Sequence, residues 1–207
     1  MKEITFVITE NTESVNTLKV MGMFVDQLKD DLYNWKWIII AAHNCIQNYM
    51  VSALRSGTNL NVLEENSASN WFKEFTNRMK AKIEDWTSPK EKLEYFMNLY
   101  RKIKSDKMLF LTVSKKLEED ESKNEAMEWL NWNRNTFIHF IPSVFEINVV
   151  SFPKRMILIM EILKFLVSES NNILWINSED KTVSEQLIND LIKKFKTLDT
   201  EYNSDKK

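Results

Sequence analysis

Apolar residues recur at three- and four-residue steps along most of the chain. Met21, Val25, Leu28, Trp35, Ile39, Ile46 and Ala53 lie on one continuous stripe, the pattern of an amphipathic helix. It predicts a long helix over residues 15–55, capped by Thr12 or Ser14 and broken near Gly22. Ser56-Gly57 gives the stop. Residues 58–68 are polar and Asn-rich and read as a loop with room for a lid. Trp71, Phe72, Phe75, Met79, Ile83 and Trp86 predict a second helix over residues 70–86, capped by Ser69. Thr87-Ser88-Pro89 stops it, and Pro89 opens a third over residues 90–104. Residues 108–116 (MLFLTVSKK) are a short apolar piece. Residues 125–142 (EAMEWLNWNRNTFIHFIP) predict a helix ended by Pro142. Residues 155–175 begin RMILIMEILKFLV and predict a buried helix. Ser178 or Ser184 opens a last amphipathic helix, fraying from Asp199. Two stretches read otherwise. ITFVI, within an extended lead-in of residues 1–12, reads as a short strand or an arm. Residues 143–153 (SVFEINVVSFP) alternate and read as a short strand or hairpin.

Composition supports helices. The 207 residues hold 2 Gly and 3 Pro, where average usage gives roughly fourteen and ten. Tight hairpin turns favour Gly, Asn and Pro, so the expected fold is all-α, a single bundle of long helices over residues 1–207. Seven Trp and twelve Phe can fill its core. The net charge of −2 gives no global basic field for nucleic acid. Locally, residues 73–107 carry ten Lys or Arg against six Asp or Glu, a solvated helix face or an RNA-backbone surface. Residues 117–128 carry six acidic residues and one Lys, which suits a helix start and repels RNA backbone. Cys45 is the only cysteine, so no intrachain disulfide forms. The longest uncharged apolar run, residues 37–42, is far short of the about 20 needed to span a membrane. No leader is read, so the expected setting is cytoplasmic, without membrane.

The residues that call for explanation are Arg134, Asn135 and His139, which interrupt an apolar helix in the order R-N-x-x-x-H. His139 is one of only two histidines. Asn135 and His139 are four apart and share a face. Arg134 is five before His139, roughly 140° round the helix at about 100° per residue. The two meet at one substrate if Arg134 wraps across, if the helix is distorted, or if a second copy faces the first. The other histidine, His43, lies beside the apolar stripe of the first helix. It reads as a satisfied core residue, or as a supporting site residue if the motif helix packs on that face.

This arrangement resembles the HEPN superfamily. R-x4-H late in an apolar helix, with Asn directly after the Arg, carries the resemblance over residues 133–142 (NRNTFIHFIP). Residues 35–54 (WKWIIIAAHNCIQNYMVSAL) look like the helix that packs against the motif helix in such domains. The resemblance implies an all-helical, commonly dimeric domain, and in many members a metal-independent endoribonuclease of toxin–antitoxin or anti-phage systems. It implies Arg134, Asn135 and His139 as catalytic residues, RNA as substrate, a homodimer, and an antitoxin or other regulatory partner.

The residue types fit that chemistry. RNA carries its own nucleophile, the 2′-OH. Histidine can move the proton, arginine can bond two phosphate oxygens, and asparagine can orient phosphate or imidazole. No metal or cofactor is expected: one Cys and two distant His make no zinc signature, and no P-loop, G-x-G-x-x-G or G-x-S-x-G occurs. The Trp and Phe read as core, not as base-stacking platforms. The same motif also reads as packing, with Arg134 at a helix interface and His139 between Phe137 and Phe140. A catalytically silent binding or dimerisation module using the same groove remains the alternative function.

Overall fold

A computed structural model describes residues 4–6, 8–81, 89–139, 144 and 146–204. Seven α-helices and no strand occur among them: α1 (Glu10–Asp26), α2 (Asn34–Leu54), α3 (Glu65–Ala81), α4 (Phe96–Ile103), α5 (Glu121–Ile138), α6 (Phe152–Lys164) and α7 (Ser178–Ser204). The all-α expectation holds.

Helix α2 is the axis of the bundle and meets α1, α4, α5 and α6. Trp35, Ile38, Ile39, Ala42, Ile46 and Met50 bury its apolar side. Helix α1 folds back along α2, and α7 lies against α1 and α6. The Trp35 ring stands edge-on to Phe152 at 5.4 Å and stacks on Phe195 at 6.1 Å. Cys45 is fully buried. Burial pushes its thiol pKa well up, so it acts as packing. Buried Tyr49 donates its hydroxyl to Ser184 Oγ at 2.7 Å, and Ser184 Oγ donates to the Asp180 carbonyl at 2.6 Å. Tyr49→Phe is expected to cost about 1 kcal/mol, because it leaves Ser184 without a partner for its lone pair. A thermal melt should show a midpoint lower by about 2–4 °C.

Several boundaries differ from expectation. The first long helix breaks at residues 27–33, not at Gly22, which stays helical. Asp31 Oδ1 accepts from the Tyr33 N–H at 2.8 Å, and Asn34 Nδ2 donates to the Gln27 and Asp31 carbonyls at 3.3 and 3.0 Å. These short polar side chains compete with helical bonding there. The expected loop over residues 58–68 is instead a 3-10 turn (Asn59–Val62) followed by α3, which begins five residues before Asn70. Residues 89–95 are extended, not helical. Glu64 N–H donates to the Lys92 carbonyl and Glu94 N–H to the Val62 carbonyl, both at 2.9 Å, around a Leu63–Leu93 bridge. That pairing satisfies backbone groups a helix at Lys90 would have taken inward. The end of the expected helix 70–86, with its Thr87-Ser88 stop, lies outside the described residues.

Neither expected strand appears among the described residues. Residues 4–6 and 8 are not in a strand. Residues 144 and 146–149 are irregular, and the chain turns at residues 150–151, where the Val149 carbonyl accepts from the Phe152 N–H at 3.0 Å. An alternating pattern with no partner strand has no ladder to join. The tail expected to fray from Asp199 stays helical to Ser204, tied down where the Trp35 indole N–H donates to the Tyr202 hydroxyl at 3.2 Å. No helix among the described residues is long and apolar enough to cross a membrane.

Candidate active site at the end of helix α5

Helix α5 starts cleanly. Asp120 caps it by accepting from the Lys123 N–H at 3.1 Å, and Glu121 follows in the first turn. Negative charge at this end suits the helix dipole. Ala126, Met127, Leu130 and Asn133 form the buried face, with Phe137 packed partly against the core. Asn133, though polar, is satisfied within the helix, where its Nδ2 donates to the Trp129 carbonyl at 2.8 Å.

Helices α2 and α5 are in contact, as their wide apolar faces predict. That contact brings His43 beneath the motif. His43 is 4% exposed. Its ring stacks on Phe96 at 3.9 Å and 19°. Its Nε2 lies 3.3 Å from Asn131 Oδ1. An amide oxygen only accepts, so Nε2 carries the proton. Burial lowers the His43 pKa to about 4; the Asn131 bond opposes this and the Arg134 charge adds to it. Arg134 is therefore within electrostatic reach of the ring.

Arg134 is half-buried on the flank of α5, and its Nη1 donates to Asn135 Oδ1 at 2.9 Å. Asn135 is exposed. His139 is exposed too, but it is not inside the helix. It is the C-cap, with φ −98° and ψ 50°, and its N–H still donates to the Asn135 carbonyl at 2.9 Å. The helix ends at Ile138; Pro142, expected to end it, lies outside the described residues.

The structure thus gathers His43, Arg134 and Asn135, and leaves His139 on the outer side of the same helix end. Asn131 and Phe96 join the group without having been singled out in the sequence. Asn131 had a signal: it stands three before Arg134 and four before Asn135, so it continues their polar flank one turn earlier. Phe96 had none, because only the α2–α4 packing brings it to His43.

Beyond Asn133 a groove of about 310 Å³ runs between α5 and the start of α6, lined by Trp129, Trp132, Thr136, Ile147 and Arg155 among others. Arg155 lies over the Trp129 ring at 5.2 Å. Trp132 is 64% exposed, which corrects the expectation that the tryptophans are all core. No family model, no curated protein and no solved structure matches the chain significantly.

Proposed function

We propose that the chain is a metal-independent endoribonuclease of HEPN type, acting as a toxin or abortive-infection factor in the cytoplasm. The observation that supports this most is exposure. Asn135 and His139 reach solvent, and Arg134 reaches Asn135 at the rim of the core. A packing role for the motif would instead seal these groups inside. In this reading the 2′-OH attacks the adjacent phosphorus and the 5′-oxygen leaves. His139 transfers a proton, and Arg134, held by Asn135, stabilises the phosphorane charge. Two chains related by a two-fold axis, with their α5 ends facing, would bring two copies of His139 to one cleft. Light scattering at micromolar concentration tests that pairing, and a monomer would remove it.

The decisive assay incubates purified protein with mixed RNA, with and without EDTA. Expected products end in a 2′,3′-cyclic phosphate and a free 5′-OH. All-deoxy substrate should survive, and EDTA should change nothing. Cleavage of the all-deoxy strand, or loss of activity in EDTA, overturns the mechanism. A second reading, a silent helical module that binds a protein or nucleotide, is favoured by one observation. His43 is buried and neutral, so a single chain offers only His139 for proton transfer at the surface. RNA bound but left intact by the wild type would decide for that reading.

A further inference from the structure

Helix α3 carries an apolar stripe on which Phe72, Phe75 and Met79 are exposed. Trp71, Phe72, Phe75 and Met79 fall within about 100° of one another on one side. Phe72 is 63%, Phe75 39% and Met79 67% exposed. The Trp71 and Phe75 rings already stack on each other at 5.5 Å. Among the described residues, α3 meets the Asn59–Val62 turn beside its start, and its Ser67 hydroxyl bonds the backbone of Lys90 and Lys92. In proteins most helical stability comes from packing an amphipathic face, and single-sided aromatic stripes mark interaction surfaces.

We propose that α3 pairs antiparallel with α3 of a second copy of this chain. The charges select this partner. Glu65 stands in the first turn, and Arg78 and Lys80 in the last. An antiparallel pair centred between Phe72 and Lys73 sets residue 65 opposite residue 80, since both pairs sum to 145. Glu65 and Lys80 lie on the same flank of the stripe, at about 60° and 120° from its centre, and like flanks meet across an antiparallel two-fold. Each copy's Glu65 then faces its partner's Lys80, and the helix dipoles oppose favourably. A parallel pair would set Glu65 against Glu65 and Lys80 against Lys80. At about 150–250 Å² per large side chain, what Phe72, Phe75 and Met79 still expose is on the order of 300 Å², the apolar centre of an interface whose polar rim the charged flanks supply. A membrane surface fits less well. The helix holds three cations and two anions, Glu65 and Glu74, net 3 − 2 = +1, whereas helices that lie on anionic lipid carry a strongly cationic polar face.

This pairing uses a different helix from the α5 pairing of the proposed function, so Met79→Asp on α3 tests it alone, whatever RNA cleavage shows. Sedimentation of the full chain at about 20 µM should find an even number of chains, and Met79→Asp should halve the mass at unchanged far-ultraviolet circular dichroism. Glu65→Lys should weaken association about tenfold, since it turns two attractive contacts repulsive. Adding Lys80→Glu to it should restore the wild-type value. A monomeric wild type, an unchanged mass in Met79→Asp, or a double variant as weak as Glu65→Lys overturns the pairing. A monomer that binds phosphatidylserine vesicles through Met79 overturns it too, and assigns the face to lipid.

Discussion

His139→Ala should slow RNA cleavage by about 10²–10⁴-fold, the usual worth of a positioned general acid or base. Arg134→Ala should lose at least as much, because the phosphorane would face the half-buried rim with no fixed cation. Asn135→Ala should lose less, since it removes only the 2.9 Å contact that steers the guanidinium. Stability separates chemistry from packing. His139 is exposed and caps the helix through its backbone N–H, which alanine keeps, so its truncation should move the melting midpoint by no more than about 2 °C. Full cleavage by the Arg134→Ala, His139→Ala double variant would remove the proposed mechanism. A large drop in melting temperature for His139→Ala would instead assign the ring to packing.

What could be read from the sequence was whatever depended on local periodicity. The 3.6-residue stripe of α2, the core face of α6 and the phasing of α7 follow from apolar spacing alone. The scarcity of Gly and Pro excluded a sheet-rich fold. Helix ends were less legible. The α1–α2 break depends on Asp31 and Asn34 bonding their own backbone, whereas Gly22 has nothing within 4 Å of an added Cβ and no reason to break the helix. The extended run at residues 89–95 depends on Val62 and Glu64, about thirty residues away, which no local window sees. The end of α7 is held by Trp35, 167 residues away.

The candidate site divides in the same way. Arg134, Asn135 and His139 could be found because residue type and spacing lie within one helix turn and a half. The placement of His43 could only be stated conditionally, on α5 packing against α2. That packing occurs, and it changes what His43 is. The ring is stacked under Phe96 and bonded to Asn131, and the Arg134 charge disfavours its protonated form. It is a neutral support for the flank that presents Arg134, and not a second proton carrier near pH 7.

This gives the second large expected effect, on stability against pH. The unfolded chain takes a proton on His43 near the ordinary histidine value of 6.5, and the folded chain only near 4. Below pH 6.5 the unfolded state therefore binds more protons, and stability falls as pH falls. The loss begins near pH 6.5, grows until about pH 4, and is then complete. At 1.36 kcal/mol per unit, a difference of 6.5 − 4 corresponds to about 3 kcal/mol. His43→Gln keeps an amide that can donate to Asn131 and removes the titration. Urea unfolding at pH 7.5 and pH 4.5 should show the wild type losing about 2.5 kcal/mol more than His43→Gln over that interval. Carboxylates titrate in both proteins and cancel in the difference. Parallel stability curves would mean that folded His43 accepts its proton as readily as the unfolded chain. The ring would then be open to water, and α5 would not hold Arg134 against it.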